Sequence, residues 1–98
     1  MEAKPHTFYY VYVLKNNDSN KLYIGSTNNL ERRLEEHRKR AAFTLLYYEA
    51  YISEKDARIR ESRLKKFGKA YQELKKRIGE SLKGVGVNPT PFTENSNE

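Results

Sequence analysis

The chain is 98 residues long, with 37 % hydrophobic residues, a formal net charge of +6 and no cysteine. That length carries one small domain with a single modest core. The missing cysteines exclude disulfide staples and thiolate metal sites, and the longest apolar run, Phe8 to Leu14, is too short to cross a bilayer.

The basic charge is concentrated. All 19 Lys and Arg lie at or before Lys83, but only 11 of the 13 acids do, so residues 1–83 carry a formal +8. An excess of this kind favours a polyanionic partner, nucleic acid above all, although a basic surface also serves solubility alone. Residues 1–6 have no apolar run behind them, so a secretory leader is not expected and a cytoplasmic protein is the default.

Phe8 to Lys15 is rich in tyrosine and valine and reads as a strand. Asn16 to Asn20 is a cluster of turn formers, and Lys21 to Ser26 resumes the strand pattern, which predicts an antiparallel hairpin. Asn28 is the expected helix cap, with Glu31 reaching back as its capping-box partner, and the helix should run to about Arg40 with Leu30, Leu34 and His37 along one stripe. Leu45 to Ile52 is strand-like and apolar on both faces, which predicts a central strand covered on two sides. Ser53 caps a second helix with Asp56 at its third position, and Gly68 is the expected stop. Tyr71, Leu74, Ile78 and Leu82 then share one face of a third helix. From Gly84 the chain loses its periodic apolar face, so residues 84–98 are expected to be a flexible tail behind one domain of residues 1–83. The order β-β-α-β-α-α predicts an α+β fold, a small three-stranded antiparallel sheet with helices packed on it.

Several side chains on this framework carry chemistry. Glu61 lies on the helical face of Ala57 and Leu64, where an unpaired charge is costly, so it must be paired (Arg58 is close in sequence) or hold a cation. Arg33 and His37 stand one helical turn apart and point the same way, a guanidinium fork for phosphate beside a group that titrates near neutrality. They equally read as part of a solvated basic face. Tyr12 and Tyr23 share a face if Tyr12 pairs opposite Tyr23, whereas a slip of one residue would separate them. Gly25 ends the second strand in this reading, and Ser26 and Thr27 offer hydroxyls near a helix start.

Tyr10-Val11-Tyr12, Leu22-Tyr23-Ile24-Gly25-Ser26-Thr27, the Asn29 to His37 segment, and Tyr47 to Tyr51 followed by Arg60-Glu61-Ser62-Arg63-Leu64-Lys65 together resemble the GIY-YIG endonuclease family, over about residues 8–83. The likeness is to its small stand-alone bacterial members. Tyr10 stands where the family pattern has glycine, the loop between His37 and Tyr47 is shorter than in the relatives, and the family's late asparagine is not evident.

The resemblance implies a divalent-metal-dependent endonuclease that hydrolyses phosphodiester bonds in DNA. It implies that Glu61 ligates one ion, Mg²⁺ or Mn²⁺, and that Tyr12 or Tyr23, with Tyr23 preferred, orients or deprotonates the attacking water. Arg33 would stabilise transition-state charge and His37 would move a proton or orient phosphate. Ser26, Thr27, Arg32, Arg38, Lys39, Arg40, Lys65 and Lys69 are the expected contacts to nucleic acid, DNA ahead of RNA. The shortened loop keeps open a second reading, a basic nucleic-acid-binding protein that retains the fold with weak or no catalysis. A small protein-binding adaptor using the tyrosine-rich sheet is the third.

Overall fold

The computed structural model describes residues 7–84. Strand β1 spans Tyr9–Asn16, β2 Leu22–Thr27 and β3 Phe43–Tyr51; helix α1 spans Leu30–Arg38, α2 Glu54–Lys66, α3 Gly68–Arg77 and α4 Gly79–Gly84. The strands form one antiparallel sheet in the order β2-β1-β3. The expected α+β architecture is therefore the observed one. Residues 1–6 of the expected domain and residues 85–98 of the expected tail lie outside the described residues, and Gly84, the expected first residue of that tail, closes α4.

The hairpin closes through its asparagines. The Asn16 side chain accepts from the backbone of Asp18 and Ser19, at 2.8 and 3.0 Å, and Asn20 takes a left-handed φ of 63°. Asparagine tolerates that conformation because its short amide bonds locally.

β1, not β3, is the central strand. Val11 to Lys15 are all buried, whereas β3 lies at the edge and exposes Tyr48. β3 is apolar on both faces because Tyr47 and Tyr51 pack against the core on one side while Tyr48 meets the Tyr10 ring on the other. Its alternation is interrupted between the Val13–Tyr47 and Leu14–Leu45 pairs by a bulge that leaves Leu46 without a partner and packs it against the core.

The core lies on one face of the sheet. Val11, Val13 and Ile24 meet Ala57 and Leu64 of α2, Leu74 of α3, Ile78, and Leu82 of α4. Around its rim, Glu49 accepts from the Tyr47 and Tyr51 hydroxyls and takes a bidentate contact from Arg60, its Oε2 lying 2.9 Å from Nη2. Burial raises the Glu49 pKa, but these donors outweigh it and hold the carboxyl below its ordinary range.

Three helix boundaries differ from the sequence reading. The cap of α1 is Asn29, whose side chain accepts from Arg32 N at 3.0 Å, so Glu31 falls one position short of a capping-box partner, and the helix ends at Arg38. The α2 cap at Ser53 is as expected, accepting from Asp56 N. Its stop, however, is Phe67, whose extended backbone (φ −109°, ψ 109°) breaks the helix, so Gly68 opens α3 instead of closing α2. The single expected third helix is two, interrupted at Ile78, yet Leu74, Ile78 and Leu82 still turn inward together.

Candidate active site

The β1–β2 register decides which side chains meet. Tyr12 pairs with Gly25, and Tyr23 with Leu14. The offset is two residues from the expected pairing, so side-chain parity is preserved and both tyrosines stand on the face opposite the core. β2 runs on to Thr27, so Gly25 is an interior residue of the strand. A Cβ there would lie 2.6 Å from Tyr12 Oη and 2.7 Å from Cζ. The missing side chain is what lets the Tyr12 ring lie across the strand.

The last turn of helix α1 delivers His37 to this face. Tyr12 Oη and His37 Nε2 are 3.2 Å apart. The His37 ring stands edge-on to three others, with centroid distances of 6.0 Å to Tyr12, 5.3 Å to Tyr23 and 5.9 Å to Phe43. Burial and the nearby Arg33 and Arg40 charges lower its pKa, so the imidazole is neutral at neutral pH. A neutral ring with one nitrogen against a phenol can take up a proton.

The two phenols differ in environment. Tyr12 is fully buried, and burial with the neighbouring Tyr23 phenol pushes its pKa up to about 12, against the opposing pull of Arg33. Tyr23 is 44 % exposed. Of the two side chains, Tyr23 is therefore the one that reaches bulk water.

Arg33 is the fourth group on this side. Its Nε is buried and lies 3.3 Å from the Glu36 carboxylate, but makes no hydrogen bond. A buried guanidinium N–H without an acceptor is costly. Its helix opens a polar groove of about 250 Å³ at the end of β2, lined by Ser26, Thr27, Asn28, Arg32 and Arg33 with Tyr9, Ala57, Glu54 and Arg58.

Glu61 reaches the same strand from the other face. Its Oε1 accepts from Ser26 Oγ at 2.6 Å, and its Oε2 pairs with Lys65 Nζ at 2.9 Å, not with Arg58, which pairs with Glu54. Burial raises its pKa, but Ser26 and Lys65 outweigh that and leave the carboxyl below its ordinary range. The described residues therefore bring Tyr12, Tyr23, Arg33 and His37 together on one face and attach Glu61 to β2 from the opposite one. Because β2 is an edge strand, the two faces meet around it. Among the described residues no group of three or more His, Asp or Glu converges. An ionised Glu61 offers one carboxylate, which fits a hard cation that keeps most of its waters.

Of the expected nucleic-acid contacts, Ser26, Thr27 and Arg32 line the groove. Thr27 Oγ1 is also engaged with the Asn29 backbone. Lys65 is held by Glu61 but its side chain is 44 % exposed. Arg38, Lys39 and Arg40 are exposed at the far end of α1, Arg38 over the Phe43 ring, and Lys69 is exposed in the first turn of α3. Phe43 and Arg58 were not anticipated at the site. Phe43 belongs to a strand that starts two residues earlier than its tyrosine pattern suggests. Arg58 is signalled by its i,i+4 spacing from Glu54 at a capped helix start.

These features define a small α+β domain with a tyrosine–histidine–arginine cluster beside an acid-bearing helix. A model of the GIY-YIG catalytic domain matches residues 8–76, and the chain belongs to that family. It is a nuclease family, acting on nucleic acid and generally dependent on a divalent metal. The chain is 37 % identical over 76 residues to the UPF0213 protein OB0043 of Oceanobacillus iheyensis, covering 68 % of this chain and 86 % of that protein. It is 39 % identical over 66 residues to the UPF0213 protein CPE1444 of Clostridium perfringens, covering 58 % and 70 %. In fold it is similar to the solution NMR structure of the UPF0213 protein BH0048 of Bacillus halodurans, with a TM-score of 0.54 at 23 % identity, covering 83 % of this chain and 99 % of that one. Among the described residues no helix is long and apolar enough to cross a membrane.

Proposed function

We propose that the protein is a metal-dependent endonuclease hydrolysing phosphodiester bonds in DNA. The observation that carries this reading is the arrangement around β2: an exposed Tyr23 beside a neutral His37 and a half-buried Arg33 on one side, and an ionised Glu61 on the other. Arg33 holds a non-bridging phosphate oxygen through its guanidinium, whose Nε makes no hydrogen bond within the described residues. The Tyr23 hydroxyl orients the attacking water, and His37 takes up its proton as the water oxygen bonds to phosphorus and the bond from phosphorus to the departing sugar oxygen breaks, that oxygen leaving as an alkoxide and taking a proton from solvent. Tyr12, buried and protonated, fixes the His37 ring by its hydrogen bond and does not itself act as base. Glu61 would hold one ion, Mg²⁺ or Mn²⁺, which when bound supplies charge stabilisation to the scissile phosphate. For Glu61 to do so, Lys65 swings away, which its exposure permits. Ser26, Thr27 and Arg32 contact the phosphate backbone in the groove, and Arg38, Lys39, Arg40 and Lys69 add long-range attraction.

The test is cleavage of plasmid and branched DNA with Mg²⁺ or Mn²⁺, beside Glu61→Ala. A metal-dependent activity lost in the variant is expected, and cleavage that persists unchanged in it would overturn the assignment.

A second reading has its own observation. Both Glu61 oxygens are occupied by Ser26 and Lys65, and only four residues separate α1 from β3. A basic nucleic-acid-binding protein without catalysis would give binding that falls steeply with salt and no cleavage with any divalent metal.

A further inference from the structure

The outer face of α2, turned away from Ala57 and Leu64, carries a shallow groove of about 600 Å³ with no part in the chemistry above. It is lined by Lys55, Arg58, Arg63 and Lys66, with Glu54 as its single acid. Glu54 is neutralised by Arg58 at 2.7 Å. Among the described residues, Lys55, Arg63 and Lys66 have no carboxylate partner, and Ile59 and Phe67 expose 41 % and 58 % of their surface within the same groove.

Phe67 is the feature the fold does not explain. It sits at the break between α2 and α3, where a large apolar residue ordinarily folds inward to staple two helices. Its extended backbone instead turns the ring outward. From Glu54 to Phe67 the helix runs roughly 20 Å at 1.5 Å per residue. At its start this groove shares Glu54 and Arg58 with the polar groove that holds Ser26, Arg32 and Arg33. The two surfaces thus adjoin across the Glu54–Arg58 pair.

We infer that this outer face of α2 is a second nucleic-acid site, a track for a single-stranded flank of the substrate, with an unpaired base stacked on Phe67 and phosphates held by Arg63 and Lys66. The inference rests on the nuclease reading for its partner class and extends it to substrate form. Charge complementarity selects a polyanion for a groove with three unpaired cations. Exposed aromatic surface among those cations selects unpaired bases, because a duplex presents phosphates and base edges whereas a single strand presents a ring face to stack. A strand leaving the Arg33 groove would pass over the Glu54–Arg58 pair onto this track, so the preferred substrates have a single-stranded arm next to the scissile bond.

The experiment is binding by fluorescence anisotropy in EDTA, where no turnover occurs, with a labelled oligothymidylate and a labelled blunt duplex, for the unaltered protein, Phe67→Ala and Phe67→Trp. Phe67 is exposed, so neither substitution disturbs the core. Phe67→Ala should weaken oligothymidylate binding about tenfold, the loss of one stacked base, and leave the duplex nearly unchanged. The chain contains no tryptophan, so the indole introduced at position 67 is a unique reporter, and oligothymidylate should quench it far more than duplex does. Equal weakening of both probes, no weakening of either, or an indole indifferent to oligothymidylate would overturn the track while duplex binding left the nuclease reading standing. Failure of the unaltered protein to bind either probe would overturn both.

Discussion

Substituting Gly25→Ala tests the packing on which the tyrosine–histidine cluster depends. The added methyl would lie 2.6 Å from Tyr12 Oη and 2.7 Å from Cζ, well inside van der Waals contact. The ring cannot swing clear, because Tyr12 is fully buried and bounded by Tyr23 and His37 at centroid distances of 6.2 and 6.0 Å. Overpacking of this kind costs roughly 1–3 kcal/mol. Gly25 has no left-handed φ, so alanine also gains about 0.4–1 kcal/mol by restricting the unfolded chain. The net expectation is a loss of about 1–2 kcal/mol, set by the overpacking term less the chain-entropy term. At roughly 4–8 °C per kcal/mol for a domain of this size, the melting temperature should fall by about 5–15 °C. Thermal denaturation followed by circular dichroism reads it. Tyr12→Phe leaves Cζ in place and should not relieve the strain, whereas Tyr12→Leu should, so Gly25→Ala should cost less in a Tyr12→Leu background. An alanine variant as stable as the parent, or the same penalty in both backgrounds, would refute the reasoning.

Other expectations concern charge and protonation. The pH profile of cleavage should show an acid limb with its midpoint below 6.5, because the His37 pKa is lowered and activity needs the neutral ring, so activity falls as pH drops through that pKa; His37→Gln should abolish the limb. Tyr12, with a pKa near 12, should give no alkaline limb in the range where the protein is folded. Glu49→Ala leaves two tyrosine hydroxyls and Arg60 without their acceptor in a partly buried rim, and should cost about 2–3 kcal/mol in urea unfolding. Since the folded Glu49 pKa is depressed, its contribution is present above the ordinary carboxyl pKa and lost as pH falls through the folded value, so Glu49→Gln should flatten the acid side of the stability curve.

The element order and the family motifs were legible because each rests on local chemistry: the asparagine turn, the Ser53 cap and the periodicity of Leu74, Ile78 and Leu82. The misplaced features depended on information that is not local. Asn28 and Asn29 are both good caps, and the choice fell to Thr27, whose hydroxyl holds the Asn29 backbone. A Leu–Leu–Tyr–Tyr run reads as a central strand, yet β1 occupies the centre because both other strands pair with it. Glycine after a helix usually marks its end, but here Phe67 breaks the chain one residue earlier. The parity of Tyr12 and Tyr23 could be written as a condition on the register. Only the paired strands fixed the offset and revealed why residue 25 is glycine. The position of Glu61 across the sheet from the phenols was likewise beyond sequence periodicity, which places a residue on its helix but not the helix on a face.

The central claim is that Glu61 exchanges Lys65 for a divalent ion at the edge of β2. Anomalous diffraction from a crystal soaked in Mn²⁺ addresses it directly. The account predicts a peak at about the 2.0–2.2 Å expected for a hard octahedral cation from a Glu61 oxygen, with the Lys65 ammonium displaced. A Glu61–Lys65 pair left intact in Mn²⁺, with no peak beside the carboxylate, would contradict it.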